Sequence, residues 1–211
     1  VQAVHDGRLP EKRITESVRR ILLAKARVGL SERRTVDVDS VFQIVGSPGF
    51  QRAAEEMSDA SVTLLRNEQN ILPLGRTTRL QIVTVTEDPH PQVGTDLLTE
   101  LEPFVGGATV MRVSNETGRE RFEEITTSLG QSDVILVGVY LSVVAWKGDH
   151  RFAAPLGDFL ASLGSLSKPV ILVAFGDPYI LGKLPETQVV MTPYAGSTLA
   201  EQSVARVVSG R

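Results

Sequence analysis

The segment from Tyr140 to Phe152, YLSVVAWKGDHRF, holds the densest set of groups able to do chemistry. It carries the only tryptophan of the chain, Trp146, followed closely by Lys147, Asp149, His150 and Arg151. An aromatic face suits the C–H groups of a pyranose ring, and charged side chains suit its hydroxyls. These five residues are therefore candidate substrate-binding groups. The structural alternative is a solvated loop whose tryptophan packs on a neighbouring domain. Asp149 and His150 do not read as a catalytic dyad, because adjacent side chains rarely point at one another and catalytic partners usually come from different segments.

Other chemistries find little support. The chain has no cysteine, which removes disulfides and thiolate metal sites. His5 and His90 lack companions at metal-ligand spacing. Gly106-Gly107 precedes an apolar strand-like run rather than a helix, so it makes no phosphate cradle, and the dinucleotide and P-loop fingerprints are absent. A Gly-x-Ser-x-Gly elbow is absent too. The residues thus offer no catalytic group, no metal site and no cofactor.

The elements that must position the loop follow a regular rhythm. Apolar runs at Leu80 to Val85, Thr109 to Val113, Asp133 to Val139, Val170 to Phe175 and Val189 to Met191 read as strands, with another short one at Val62 to Leu65. Helical periodicity fills the intervals at Phe50 to Ala60, Asp96 to Leu101, Glu116 to Leu129, Leu156 to Leu166 and Thr198 to Val208. Short, wholly apolar strands alternating with helices predict an α/β fold: a mostly parallel, doubly wound sheet of five or six strands. Ligands of such sheets sit at the carboxyl ends of the strands. That places interest on the loops after Val85, Val113, Val139 and Phe175. In the Phe175-Gly176-Asp177-Pro178-Tyr179 turn, glycine and proline have a sufficient structural use in shaping a strand-to-helix turn.

Ahead of this pattern stands a separate amphipathic helix, Leu9 to Leu30, with Pro10 in its first turn and Gly29 as its stop. Ile14, Val18, Ile21, Leu22 and Leu23 form its apolar stripe. Ser31 to Ser47 is polar and weakly β-like, and reads as a linker. A free-standing module should bury that stripe within its own chain, whereas a domain severed from a partner body should leave it exposed.

The first helix also carries a resemblance. Arg13, Ile14, Ser17, Val18, Arg19, Arg20, Ile21, Leu22, Lys25, Gly29 and Leu30 fit a pattern similar to the end of the catalytic barrel in family 3 glycoside hydrolases. The runs Ser61-Val62-Thr63-Leu64-Leu65-Arg66-Asn67 and Leu72-Pro73-Leu74 resemble the entry strand of the C-terminal α/β sandwich domain of that family. The resemblance implies that residues 1–30 are the last helix of an N-terminal TIM barrel, 31–47 a linker and 48–211 the sandwich. It further implies a retaining hydrolysis of terminal β-linked sugars, with the nucleophile on the barrel and the carbohydrate in an interdomain cleft. Gly138 and Gly148-Asp149 look like the ends of the β-glucosidase acid/base loop. The stretch Val139 to Lys147 between them holds no carboxylate, and this departure favours a β-N-acetylhexosaminidase-like branch. The Gly-Asp-Pro-Tyr turn also looks similar to a Gly-Asn-Pro-Tyr turn of that branch. By this resemblance the fragment alone is not catalytic. The alternative is a free-standing, flavodoxin-like module for a small ligand or sugar.

Composition narrows the partners. The net charge of −3 and the low aromatic content, 5%, argue against nucleic acid, whether by phosphate attraction or by base stacking. No apolar run approaches the length of a membrane span.

Overall fold

The computed structural model describes residues 1–141 and 151–211. The chain divides into two compact units, residues 1–51 and 52–211. The first contains the helices α1 (Gln2–His5), α2 (Glu11–Arg27) and α3 (Val38–Ile44), and the start of α4 (Pro48–Ser61). None of the residues of α2 is buried, and Val18, Ile21, Leu22 and Leu23 stand exposed. The expected linker 31–47 is not wholly irregular, since it contains α3. Asp37 starts that helix by accepting a hydrogen bond from the Asp39 amide, a local cap that outweighs the β-like valines of the segment.

The second unit is an α/β sandwich. Its strands are β1 (Thr63–Asn67), β2 (Leu80–Val85), β3 (Ala108–Val113), β4 (Val134–Leu141), β5 (Val170–Gly176) and β6 (Val189–Thr192). They form one sheet in the order β1-β6-β5-β4-β2-β3. All neighbours are parallel except β1, which runs antiparallel to β6. The helices α5 (Thr95–Leu101), α6 (Arg119–Leu129), α7 (Ala154–Ser162) and α8 (Thr198–Ser209) cover the sheet.

Alternation along the strands divides the core in two. Leu136, Ile171 and Val173 face one side with Leu97, Leu101 and Val204 of α5 and α8. Ile135, Val137 and Leu172 face the other with Ile125, Leu156 and Phe159 of α6 and α7. Every residue of β2 is buried, as a central strand covered on both faces requires.

Several boundaries differ from expectation. β4 runs on to Leu141, so Tyr140 and Leu141 belong to the strand and not to the loop. Gly138 is a strand residue, as the apolar run Asp133 to Val139 has it, and not the loop end that the resemblance implies. α6 begins at Arg119 instead of Glu116, because the Ser114 and Thr117 hydroxyls accept from the Glu116 and Ser114 amides and hold a turn there. α7 begins earlier, at Ala154 with Pro155 in its first turn. It gives way to a short 3₁₀ turn at Leu163–Ser165 instead of running on to Leu166.

Candidate functional site

The strand order reverses between β2 and β4: β3 lies to one side of β2, and β4, β5 and β6 follow on the other. At this switch point the connections diverge above and below the sheet and leave a crevice at the carboxyl ends. A cavity of about 280 Å³ occupies it, lined by Thr86, His90, Tyr140, Leu141, Phe175 and Gly196. A second cavity, of about 360 Å³, opens beside it at the ends of β2 and β3. Arg112, Ser114 and Thr117 line this one, and both cavities share Thr86 and His90.

The loop that divides the cavities, residues 86–94, is held at its root from two directions. Glu201 is a helix residue only 5% exposed, and its carboxylate reaches across from α8. It accepts from the Gly94 amide at 2.9 Å and the Leu97 amide at 2.8 Å, so one helix supplies the N-terminal cap of another. The Arg112 guanidinium donates to the Val93 carbonyl and to the Thr95 hydroxyl. Gly94 itself takes φ +79°, and a Cβ there would stand 2.5 Å from the Thr84 methyl. Glycine is required on both counts.

Asn115 links three of the carboxyl-end loops. Its amide N–H donates to the Glu87 carbonyl. Its side chain donates to the Arg151 carbonyl and accepts from the Ala153 amide at 2.7 Å. The loop after β3 therefore fixes both the loop after β2 and the chain entering α7.

Tyr140 and Phe175 stack with ring centroids 4.2 Å apart and nearly parallel planes. Gly138 makes room for the pair, since a Cβ there would lie 2.9 Å from the Tyr140 ring and 3.2 Å from the Phe175 ring. The Tyr140 hydroxyl is enclosed and lacks a hydrogen-bond partner among the described residues. Burial first, and then the nearby Glu201 carboxylate, push this phenol well above its ordinary pKa. It is a neutral group at physiological pH.

Of the residues singled out by sequence, Trp146, Lys147, Asp149 and His150 lie outside the described residues. Arg151 is exposed, with its carbonyl held by Asn115 as above. The Asp177 carboxylate accepts from the Tyr179 amide and starts a 3₁₀ turn, a structural use beside that expected of the glycine and proline. Among the described residues no group of His, Cys, Asp and Glu could hold a metal ion. Sequence reasoning missed Glu201, Asn115 and Tyr140. Their partners lie far along the chain, and nothing local distinguishes a capping glutamate from a solvated one.

No protein-family model matches the chain. A β-N-acetylglucosaminidase/β-glucosidase of Cellulomonas fimi is 24% identical over 99% of the chain, which spans 38% of that protein. A periplasmic β-glucosidase/β-xylosidase of Dickeya chrysanthemi is 38% identical over 94 residues, 44% of the chain and 14% of that protein. The solved structure of a glycoside hydrolase family 3 β-N-acetylglucosaminidase from Paenibacillus sp. str. FPU-7 superposes with a TM-score of 0.72 at 21% identity. That match covers 99% of this chain and 39% of that one, and the likeness is one of fold. The chain thus spans well under half the length of these relatives. In sequence and in fold the chain is similar to part of glycoside hydrolase family 3 enzymes, consistent with their C-terminal α/β sandwich domain.

Proposed function

We propose that the chain serves as the accessory sandwich of a retaining glycosidase that acts on terminal β-linked sugars, with β-N-acetylhexosaminidase-like specificity. The match to the Cellulomonas fimi enzyme over nearly the whole chain carries this reading. In it, residues 1–30 are the last helix of a TIM barrel, 31–47 the linker and 48–211 the sandwich. Retaining hydrolysis needs a nucleophile and a proton donor on either side of the glycosidic bond. Both belong to the barrel, so no residue of this chain acts as a catalytic residue.

The carboxyl-end rim of the sheet lends the substrate cleft its positioning groups: Trp146, Lys147, Asp149, His150 and Arg151 from the loop after β4. Support comes from the two cavities at that rim and from the ties that fix the neighbouring loops. The lack of any carboxylate from Val139 to Lys147 favours the hexosaminidase-like branch over a β-glucosidase whose acid/base sits in this loop. Exposure of the α2 stripe agrees with a helix made for another surface.

The test compares the pure chain with a longer protein in which the chain follows a family 3 barrel. Both are assayed on p-nitrophenyl β-N-acetylglucosaminide and β-glucoside. The chain alone should show no turnover, since general acid–base groups alone contribute about 10²–10⁴-fold. The longer protein should prefer the acetamido sugar. Robust turnover by the isolated chain, or none by the longer protein, refutes the proposal.

A further inference from the structure

A cation drawn out of water is costly unless an opposite charge repays it. Among the described residues the half-buried arginines are Arg66, Arg112 and Arg206. Arg66 pairs with Glu68 and Glu186, and Arg206 pairs with Asp59. Arg112 differs. Its Nε donates to the Val93 carbonyl and its Nη2 to the Thr95 hydroxyl, both neutral acceptors. No described carboxylate stands within ion-pair distance of it. Those two bonds leave the Nη1 donors and the second Nη2 donor of the guanidinium unspent.

Arg112 lines the cavity of about 360 Å³ at the ends of β2 and β3, with Ser114, Thr117 and His90. The Ser114 hydroxyl accepts from the Glu116 amide, and the Thr117 hydroxyl accepts from the Ser114 amide. Among the described residues neither hydroxyl donates its own proton. The cavity therefore offers the remaining N–H groups of a permanent cation and two hydroxyl protons. A phosphate group answers that set. Its oxygens are acceptors, arginine meets two of them at once, and its charge repays the guanidinium. A neutral hydroxyl supplies no such charge. The volume falls within the range of small-molecule pockets, about 300–1,000 Å³, and Pro89 and Pro91 add an apolar wall for carbon atoms beyond the phosphate. One group opposes an anion here: Glu116, an exposed carboxylate on the same lining.

We infer that this cavity binds a phosphate group, free or at the end of a small ester, with Arg112 as its anchor and the Ser114 and Thr117 hydroxyls as further donors. The inference goes beyond the glycosidase reading and does not need it, because binding is read without turnover.

The experiment titrates the chain with potassium phosphate and with phenyl phosphate at constant ionic strength, following backbone amide signals by NMR. Shifts should concentrate at Ser114, Glu116 and Thr117. Arg112→Gln should weaken binding about 10-fold or more, the worth of a hydrogen bond to a charged group. Arg112→Lys keeps the charge and should bind more tightly than Arg112→Gln. Both variants lose the fork that ties Val93 and Thr95, so a difference between them reads the charge and not the loop. Glu116→Gln removes the opposing charge and should tighten binding about 2- to 5-fold, as for an exposed charge pair. Tighter binding of phenyl phosphate supports an ester as the occupant, and tighter binding of inorganic phosphate supports the free ion. Absence of binding, equal affinity in Arg112→Gln and the unaltered chain, or shifts spread over the exposed arginines of α2 overturns the inference. Acetate binding as tightly as phosphate overturns it too, since the cavity would then take any anion. The glycosidase proposal stands or falls separately, on turnover by the longer protein.

Discussion

A single buried carboxylate does much to shape the rim. Glu201 satisfies the amides of Gly94 and Leu97, which would otherwise be unpaired donors at the start of α5. Glu201→Ala abandons both, at a cost of about 1–3 kcal/mol for each buried donor. Glu201→Gln keeps one acceptor and should lose about half as much. Urea melts of the three proteins check the order, and equal stability of all three would show that water replaces the carboxylate. Sequence periodicity places Glu201 on a helix but cannot show which face it joins. Its partners stand more than a hundred residues away, and a glutamate in the first turn reads as solvated by default. The same holds for Asn115, whose side chain meets Arg151 and Ala153 across a gap of over thirty residues. Trp146 was conspicuous because it is the only tryptophan. Arg112 was not, because its distinction is the carboxylate that it does not meet.

Among the elements, β4 shows what the sequence reveals most clearly. Its unbroken apolar run predicted a central parallel strand buried on both faces, and it lies between β2 and β5 as expected. Its end was harder to see, since Tyr140 and Leu141 continue the ladder only because Phe175 and Gly176 pair with them. Gly138 illustrates the same dependence. Within a strand it weakens local preference, and its use appears only when Phe175 arrives from another strand to stack on Tyr140. Gly138→Ala should overpack this stack and cost about 1–3 kcal/mol, read from denaturant melts. At the opposite ends of the strands, Arg79 and Asp133 clip β2 to β4 through backbone and side-chain hydrogen bonds. Those Arg79 bonds, before any other cause, hold the Asp133 carboxyl down at about 2. A depressed carboxyl stabilises the fold above its ordinary value of 3.8, and the benefit is lost as pH falls through about 2. Asp133→Asn should therefore flatten the acid limb of the melting temperature in that interval and leave its shape at neutral pH unchanged. A limb as steep as that of the unaltered chain would rule out this clip as the cause.

For the whole molecule, the α/β class and the parallel order of the central strands follow from the alternation of apolar runs and helices. What covers α2 does not. Its stripe announces a partner surface, and a helical wheel carries no information about whose surface it is. The proposed barrel supplies one, and the consequence is measurable. Ile21 and Leu22 are each more than half exposed. Replacing both by glutamine should change the unfolding free energy of this chain by no more than about 0.5 kcal/mol, as for most surface substitutions. In the longer protein, where a barrel would enclose the stripe, each replacement forfeits about 1.5–3 kcal/mol of burial. The glutamine amides must also find hydrogen bonds in an apolar seam or go unpaired. The barrel transition should then fall to a lower denaturant concentration, while the sandwich transition, followed by signals from β4 and β5, stays where it was. A loss confined to the longer protein identifies α2 as part of the barrel. An equal, small effect in both proteins would mean that the stripe meets no barrel surface, and residues 1–30 would then need another partner.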